Sequence, residues 1–167
     1  MSNLTVRAAI KNDLEAVAAI YNQGINERIA TLETRKRSVK DIESWLERPR
    51  HPLLVADKEG QILGWISASE YRPRDCYAGI VEFSIYIGKN ARGQGVGNLL
   101  MPAFFEACAK AGVWKILSRI FPENKASLSL CKKHGFREVG IYENHAKLDG
   151  VWRNVVIVEK LLETNLT

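Results

Sequence analysis

The stretch IVEFSIYIGKNARGQGVGNLL, residues 80–100, decides how the rest of the 167-residue chain is read. Its first eight residues alternate. Val81, Phe83, Ile85 and Ile87 take one side and Glu82, Ser84 and Tyr86 the other, which is the period of a β-strand. From Val96 the apolar positions shift to helical spacing, through Leu99, Leu100, Ala103, Phe104, Ala107, Cys108 and Ala111, and predict a helix over about residues 95–111. Pro102 deletes one backbone bond inside it, so a kinked helix is expected rather than two helices. Between strand and helix lies ARGQGVGN, residues 91–98. Gly93, Gly95 and Gly97 remove side chains where a ligand approaches the backbone, and the first N–H groups of a helix lack internal partners and carry partial positive charge. A diphosphate suits such a corner.

Three phosphate-binding patterns compete for this loop. A Walker loop needs Lys after its last glycine, and none follows here. A dinucleotide fold needs G-x-G-x-x-G and an acidic residue about 20 positions later. This chain has G-x-G-x-G, and residues 112–121 hold neither Asp nor Glu. R-x-x-G-x-G, carried by Arg92, Gly95 and Gly97, remains.

Upstream, residues 4–9 read as a strand. Asn12 or Asp13 is placed to cap a helix with Leu14, Val17, Ala18, Ile20 and Tyr21 on one face, and Ser38 to cap a second with Val39, Ile42, Trp45 and Leu46. Residues 53–56 and 62–69 read as a hairpin with a loop of about four residues, and YRPRDCY, residues 71–77, as a loop. Downstream come a strand over 115–121, a short helix over 124–134 closed by Gly135, and strands over 137–142 and 151–161 flanking Asp149–Gly150. This order predicts a mixed α/β sheet with helices on its faces, not a doubly wound fold.

The length suits one domain over residues 1–167. A composition of 46% hydrophobic and 26% charged residues excludes a disordered tail protein or a coiled coil. No segment is apolar and long enough to span a bilayer, and the first residues carry no secretory pattern, so a cytoplasmic location is expected. Cys76, Cys108 and Cys131 are widely spaced, and the three histidines lack metal-ligand spacing, so neither a disulfide framework nor a metal site is expected. The formal charge of +5 favours anionic partners, but no basic stripe with interleaved aromatics points to nucleic acid.

Residues 80–100 resemble the acetyl-CoA motif of the GNAT acetyltransferase superfamily, and NKASLSLCKKHGF, residues 124–136, is similar to the family's N-x-x-S…G-F helix. The resemblance extends to one branch. NLTVRAAIKNDLEAVAAIYNQGI, the YRPRDCY loop, VEFSIYI and DGVWRNVVIVEKLL look like phosphinothricin, methionine sulfoximine and related amino-acid N-acetyltransferases. It implies a GNAT fold with a splayed central strand and acetyl-CoA as co-substrate. Ser84, Ile85, Tyr86 and Ile87 would pair with pantetheine as another strand would. The amides of Gly93, Gln94, Gly95, Val96, Gly97 and Asn98 would hold the diphosphate. Arg92, Lys89, Lys125 and Lys132 are candidates for the outer phosphates. Asn124, sufficient as a helix cap, would also meet the pantetheine arm, with Ser127 completing N-x-x-S.

An α-amine is mostly protonated near neutral pH, and each pKa unit above ambient costs about 1.4 kcal/mol of available nucleophile. A carboxylate offsets that cost, and the resemblance carries the general base onto Glu82. Backbone N–H groups near Ile85 would face the oxyanion. The family often places Tyr, and this branch His, where this chain has Cys131; the thiol protonates the leaving thiolate, packs as a small apolar residue, or carries the acetyl group as a covalent intermediate. On the acceptor side, Arg72 or Arg74 would bind an oxyanion of a small amino acid, with Tyr21, Asn26, Thr31 and Trp152 lining the pocket. Asn154 stands where the branch often has an acidic residue. The implied acceptor is a glutamate-like amino acid such as phosphinothricin, methionine sulfoximine or an arsenical analogue, and the implied assembly a homodimer. Two other classes stay open: an acetyltransferase acting on a protein N-terminus, lysine or another amine, and a non-catalytic acetyl-CoA sensor.

Overall fold

In the computed structural model, which describes residues 3–167, the alternating stretch forms β4 (Ile80–Ile87) at the centre of a seven-stranded sheet. The other strands are β1 (Leu4–Ala8), β2 (Leu53–Lys58), β3 (Gln61–Glu70), β5 (Lys115–Ile120), β6 (Arg137–Leu148) and β7 (Val151–Leu161), in the spatial order β1-β2-β3-β4-β5-β7-β6. Among the described residues, only β4 and β5 run parallel. Helices α1 (Leu14–Glu27), α2 (Val39–Ile42), α3 (Val96–Lys110) and α4 (Lys125–Lys133) complete the fold. The expected mixed sheet with helices on both faces is present. Leu54, Ala56, Ile66 and Ala68 pack toward α3, while the alternate residues Leu53, Val55 and Trp65 pack toward α1 and α2.

The two edges of β4 differ. Against β3 it pairs along nearly its whole length, from Val81↔Glu70 to Ile87↔Gly64. Against β5 it pairs at three positions, Ile80↔Lys115, Val81↔Ile116 and Glu82↔Leu117, and the strands then part. The Ser118 hydroxyl donates to the Phe83 carbonyl across the start of the gap, at 3.0 Å. The expected splay therefore begins directly after Glu82.

Turn chemistry sets several boundaries away from the sequence expectation. The β2–β3 hairpin closes through Glu59 (φ 52°) and Gly60 (φ 89°), two residues with positive φ rather than a loop of four, so both strands run longer. Asp13 does not cap α1 by its side chain; its carboxylate turns back to the Ile10 N–H and to Arg7. Ser38 does cap α2 in a capping box with Asp41, but α2 is one turn long and continues as a 3-10 helix over Glu43–Glu47. Helix α3 runs unbroken through Pro102, as one helix. At the end of α4, Gly135 (φ 84°) lets the Phe136 N–H reach the Cys131 carbonyl and the Gly135 N–H reach the Lys132 carbonyl, and Phe136 enters the core. Strand β6 is twice the expected length, because the irregularity at residues 143–145 is a bulge and not an end. Asn144 (φ 46°) sits there, its N–H held by the Asn154 side chain at 2.8 Å.

Candidate active site

The parting of β4 and β5 opens two adjoining cavities, of about 490 and 370 Å³. Both are lined by Ala30, Ile85, Tyr86, Asn124 and Ser127. Main-chain groups of alternate strand residues point to alternate edges. Phe83 directs its carbonyl to the β5 side, so Ile85 and Ile87 direct theirs into the gap, whereas Ser84 and Tyr86 face β3. The sequence expectation of four residues offering main-chain groups is thus halved. The Ile87 carbonyl already accepts from Arg92 Nε at 3.1 Å, which leaves Ile85 with both groups free toward the gap among the described residues.

The first cavity ends at the glycine corner. Gly93 (φ 73°) and Gly95 (φ 83°) adopt the left-handed conformation, and a Cβ at either would meet nothing within 4 Å. No side chain caps α3, so its first N–H groups stay available. Gly97 packs close to Leu130 of α4. This arrangement fits an anionic group against bare backbone. Gly93, Gly95, Val96, Gly97 and Asn98 line the cavity, but Gln94 does not; its side chain donates to the Asn90 carbonyl. Arg92 lines the cavity with its guanidinium in a bidentate pair with Glu27 of α1, both bonds 2.7 Å. That pairing lowers the Glu27 pKa and raises that of Arg92. Asn124 Oδ1 accepts from the Ser127 N–H at 3.2 Å and caps α4, while its Nδ2 has no partner among the described residues. One side chain therefore serves the cap and faces both cavities.

The second cavity holds the groups able to do acid–base work. Glu82 lies in its wall, partly buried, with Oε2 accepting from Arg119 of β5 at 2.9 Å. Oε1 has no hydrogen-bond partner among the described residues. Tyr21 and Thr31 also line this cavity, as does the Ser84 side chain. Burial raises the pKa of Tyr21 and drives that of Tyr86 far up, so both phenols stay protonated. Tyr86 packs its ring on α1 where Gly24 leaves room; a Cβ there would lie 2.6 Å from the ring.

Several predicted residues stand elsewhere. Cys131 is buried in the core beneath α4 and lines neither cavity; burial pushes its thiol up to about 12. Its position is that of the small apolar packing residue. Arg72 and Arg74 are exposed on the loop that enters β4, with Arg72 over the Tyr71 ring, and neither lines either of these two cavities. Asn26 is exposed on α1, and Trp152 is exposed near the tip of β7 under Lys147. The cation of the second cavity that the sequence reading missed is Arg119. No local sequence signal marked it: the parallel register of the folded strands pairs Glu82 with Leu117 and so sets Arg119, two residues on, on the same face.

Residues 17–136 match the Acetyltransferase (GNAT) family. A Bacillus subtilis protein provisionally named phosphinothricin acetyltransferase YwnH is 38% identical over 150 residues, covering 88% of this chain and 92% of the relative. An L-methionine sulfoximine/L-methionine sulfone acetyltransferase of Pseudomonas paraeruginosa is 28% identical over 163 residues, 95% of each chain. A phosphinothricin acetyltransferase of Sinorhizobium meliloti, solved in complex with acetyl-CoA, superposes with a TM-score of 0.88 at 27% identity, covering 96% of this chain and 89% of that one.

Proposed function

The chain belongs to the GNAT family and is an acetyl-CoA-dependent N-acetyltransferase; from that premise we propose that its acceptor is the α-amine of a small glutamate-like amino acid, such as phosphinothricin or methionine sulfoximine, and that Glu82 is the general base. The observation that carries this reading is the junction of the two cavities. Ile85 lies in the wall of both, and the cavity beyond it holds a carboxylate with one oxygen free.

In this reading the glycine corner and the first turn of α3 receive the diphosphate of acetyl-CoA, and the free edge at Ile85 aligns the pantetheine arm. Glu82 Oε1 accepts a proton from the acceptor ammonium and passes it to water in the open cavity. The amine nitrogen bonds to the thioester carbonyl carbon, and the Ile85 N–H supports the negative charge that develops on its oxygen. The carbon–sulfur bond breaks, and the second nitrogen proton reaches the departing thiolate through water, since Cys131 lies in the core. The sum is ammonium plus acetyl-CoA giving the N-acetyl product, CoA thiol and one proton.

Arg72 and Arg74, on the loop leading to Glu82, draw an anionic acceptor toward the cavity from outside its wall. The exposed apolar residues Val139, Ile141 and Tyr142 on the edge strand β6 support the homodimer reading, which light scattering of the purified protein tests. The test of the acceptor is thiol release over a panel of free amino acids, their phosphinic and sulfoximine analogues, peptides and polyamines. Turnover concentrated in glutamate-like amino acids is the expected result; turnover confined to peptides, or none with tight acetyl-CoA binding, sinks the proposal.

A further inference from the structure

We infer that Arg119 binds the α-carboxylate of the acceptor, so that Glu82 and Arg119 together recognise a free amino acid by its ammonium and its carboxylate. The inference rests on the acceptor reading above and adds the residue that selects for it. Among the described residues lining the second cavity, Arg119 is the one cation, and the other ionisable groups are Tyr21, Glu33, Glu82 and Tyr86. A zwitterion entering this cavity finds its anionic partner in Glu82 and its cationic partner in Arg119.

The guanidinium is also unsaturated. Arg119 donates one hydrogen bond, to Glu82 Oε2, and has no other partner among the described residues. A guanidinium carries five N–H donors in a planar fork that suits a carboxylate. Two other arginines are filled: Arg92 by both Glu27 oxygens and the Ile87 carbonyl, Arg7 by Asp13, Asp57 and the Ala8 carbonyl. Arg119 is 49% exposed, and a half-exposed single-bonded pair contributes little stability. Arg119 itself lines the second cavity.

The spacing matches as well. Glu82 and Arg119 touch, so an anion and a cation stand one hydrogen bond apart, while an α-amino acid carries its ammonium and carboxylate on one carbon in the opposite order. Neither a lysine side chain nor a peptide N-terminus offers that pair, because the carboxylate is remote or converted to an amide.

The test compares Arg119→Ala with wild type in thiol release, using the best amino acid from the panel, its α-amide and the amine lacking the α-carboxylate. In wild type the amino acid is preferred over both analogues. In Arg119→Ala its KM rises about 10- to 100-fold, the scale of a charge-assisted hydrogen bond, whereas KM for the analogues moves less than about 3-fold and the preference disappears. Arg119→Lys restores part of it. Acetyl-CoA binding by calorimetry shows whether the variant is folded. Should the variant fail to fold, the wild-type ratio of amino acid to α-amide decides, and a ratio near one overturns the inference. Equal KM increases for all three acceptors also overturn it, leaving Arg119 as a support for Glu82 alone. A wild type that acetylates no free amino acid defeats the acceptor reading, and this inference with it, which distinguishes the two failures.

Discussion

Two guanidinium–carboxylate pairs in this molecule do opposite things. Arg7 on β1 meets Asp13 through both terminal nitrogens, at 2.7 and 3.0 Å, and Asp57 of β2 at 3.0 Å, while Asp13 also accepts from the Ile10 N–H at 2.8 Å. Nearly every donor and acceptor is used, Asp13 is buried, and the cluster fastens the first strand to the start of α1. Arg119 and Glu82 share a single bond in the wall of a cavity. The same two functional groups are structural where their hydrogen bonds are saturated and available for chemistry where they are not. The difference comes from the sheet. β1 is held by continuous pairing with β2, whereas Glu82 sits at the last paired position before β4 and β5 separate.

The sharpest way to break this contrast is at the carboxylates. Glu82→Gln keeps shape and removes the proton acceptor, so kcat should fall about 100-fold or more while acetyl-CoA binding stays near wild type and the melting temperature barely moves. A kcat within a factor of three would place Glu82 with the structural pair. Next comes Arg7→Ala. It leaves buried Asp13 without its cation, and denaturant unfolding should show a loss of about 2 kcal/mol, discounted because Arg7 is a third exposed. Turnover of the folded fraction should not change.

The acid limb gives a smaller effect. The Arg7 hydrogen bonds lower the Asp13 pKa, as Arg92 does for Glu27 and Arg137 for Glu159. A carboxylate whose folded pKa lies below its unfolded value contributes stability above the unfolded pKa, near 4, and loses it as pH falls through the folded pKa. Stability should therefore be flat from neutrality to about pH 5 and decline in acid, with Asp13→Asn less stable at neutrality and less steep below pH 4. A slope unchanged in Asp13→Asn would remove this carboxylate from the acid transition. Smallest is Cys131→Ala. A small side chain in the core should cost about 1 kcal/mol and leave kcat within twofold, since the thiol lines neither cavity. A large fall in kcat at unchanged stability would return Cys131 to the chemistry.

Much of this was legible in the sequence, for reasons that differ by residue. The alternation of residues 80–87 announced β4, Asn124 and Gly135 marked the two ends of α4, and the three glycines marked the corner, because period, cap and positive φ are local properties. The longer β6 was not legible, since a bulge at residues 143–145 looks like a strand end until Asn154 is seen to hold it across the hairpin. The exposure of Arg72 and Arg74 was equally hidden, as a charged loop beside β4 has the same sequence whether it turns in or out.

By itself, then, the chain's order of residues determined the elements, the family resemblance and the carboxylate on β4, all of which follow from neighbours a few positions apart. Only the tertiary structure decided which groups meet. Glu82 and Arg119 stand 37 positions apart and touch because two parallel strands pair for three residues and then diverge. That register is fixed by packing on both faces of the sheet, a property of the whole core and of no local segment.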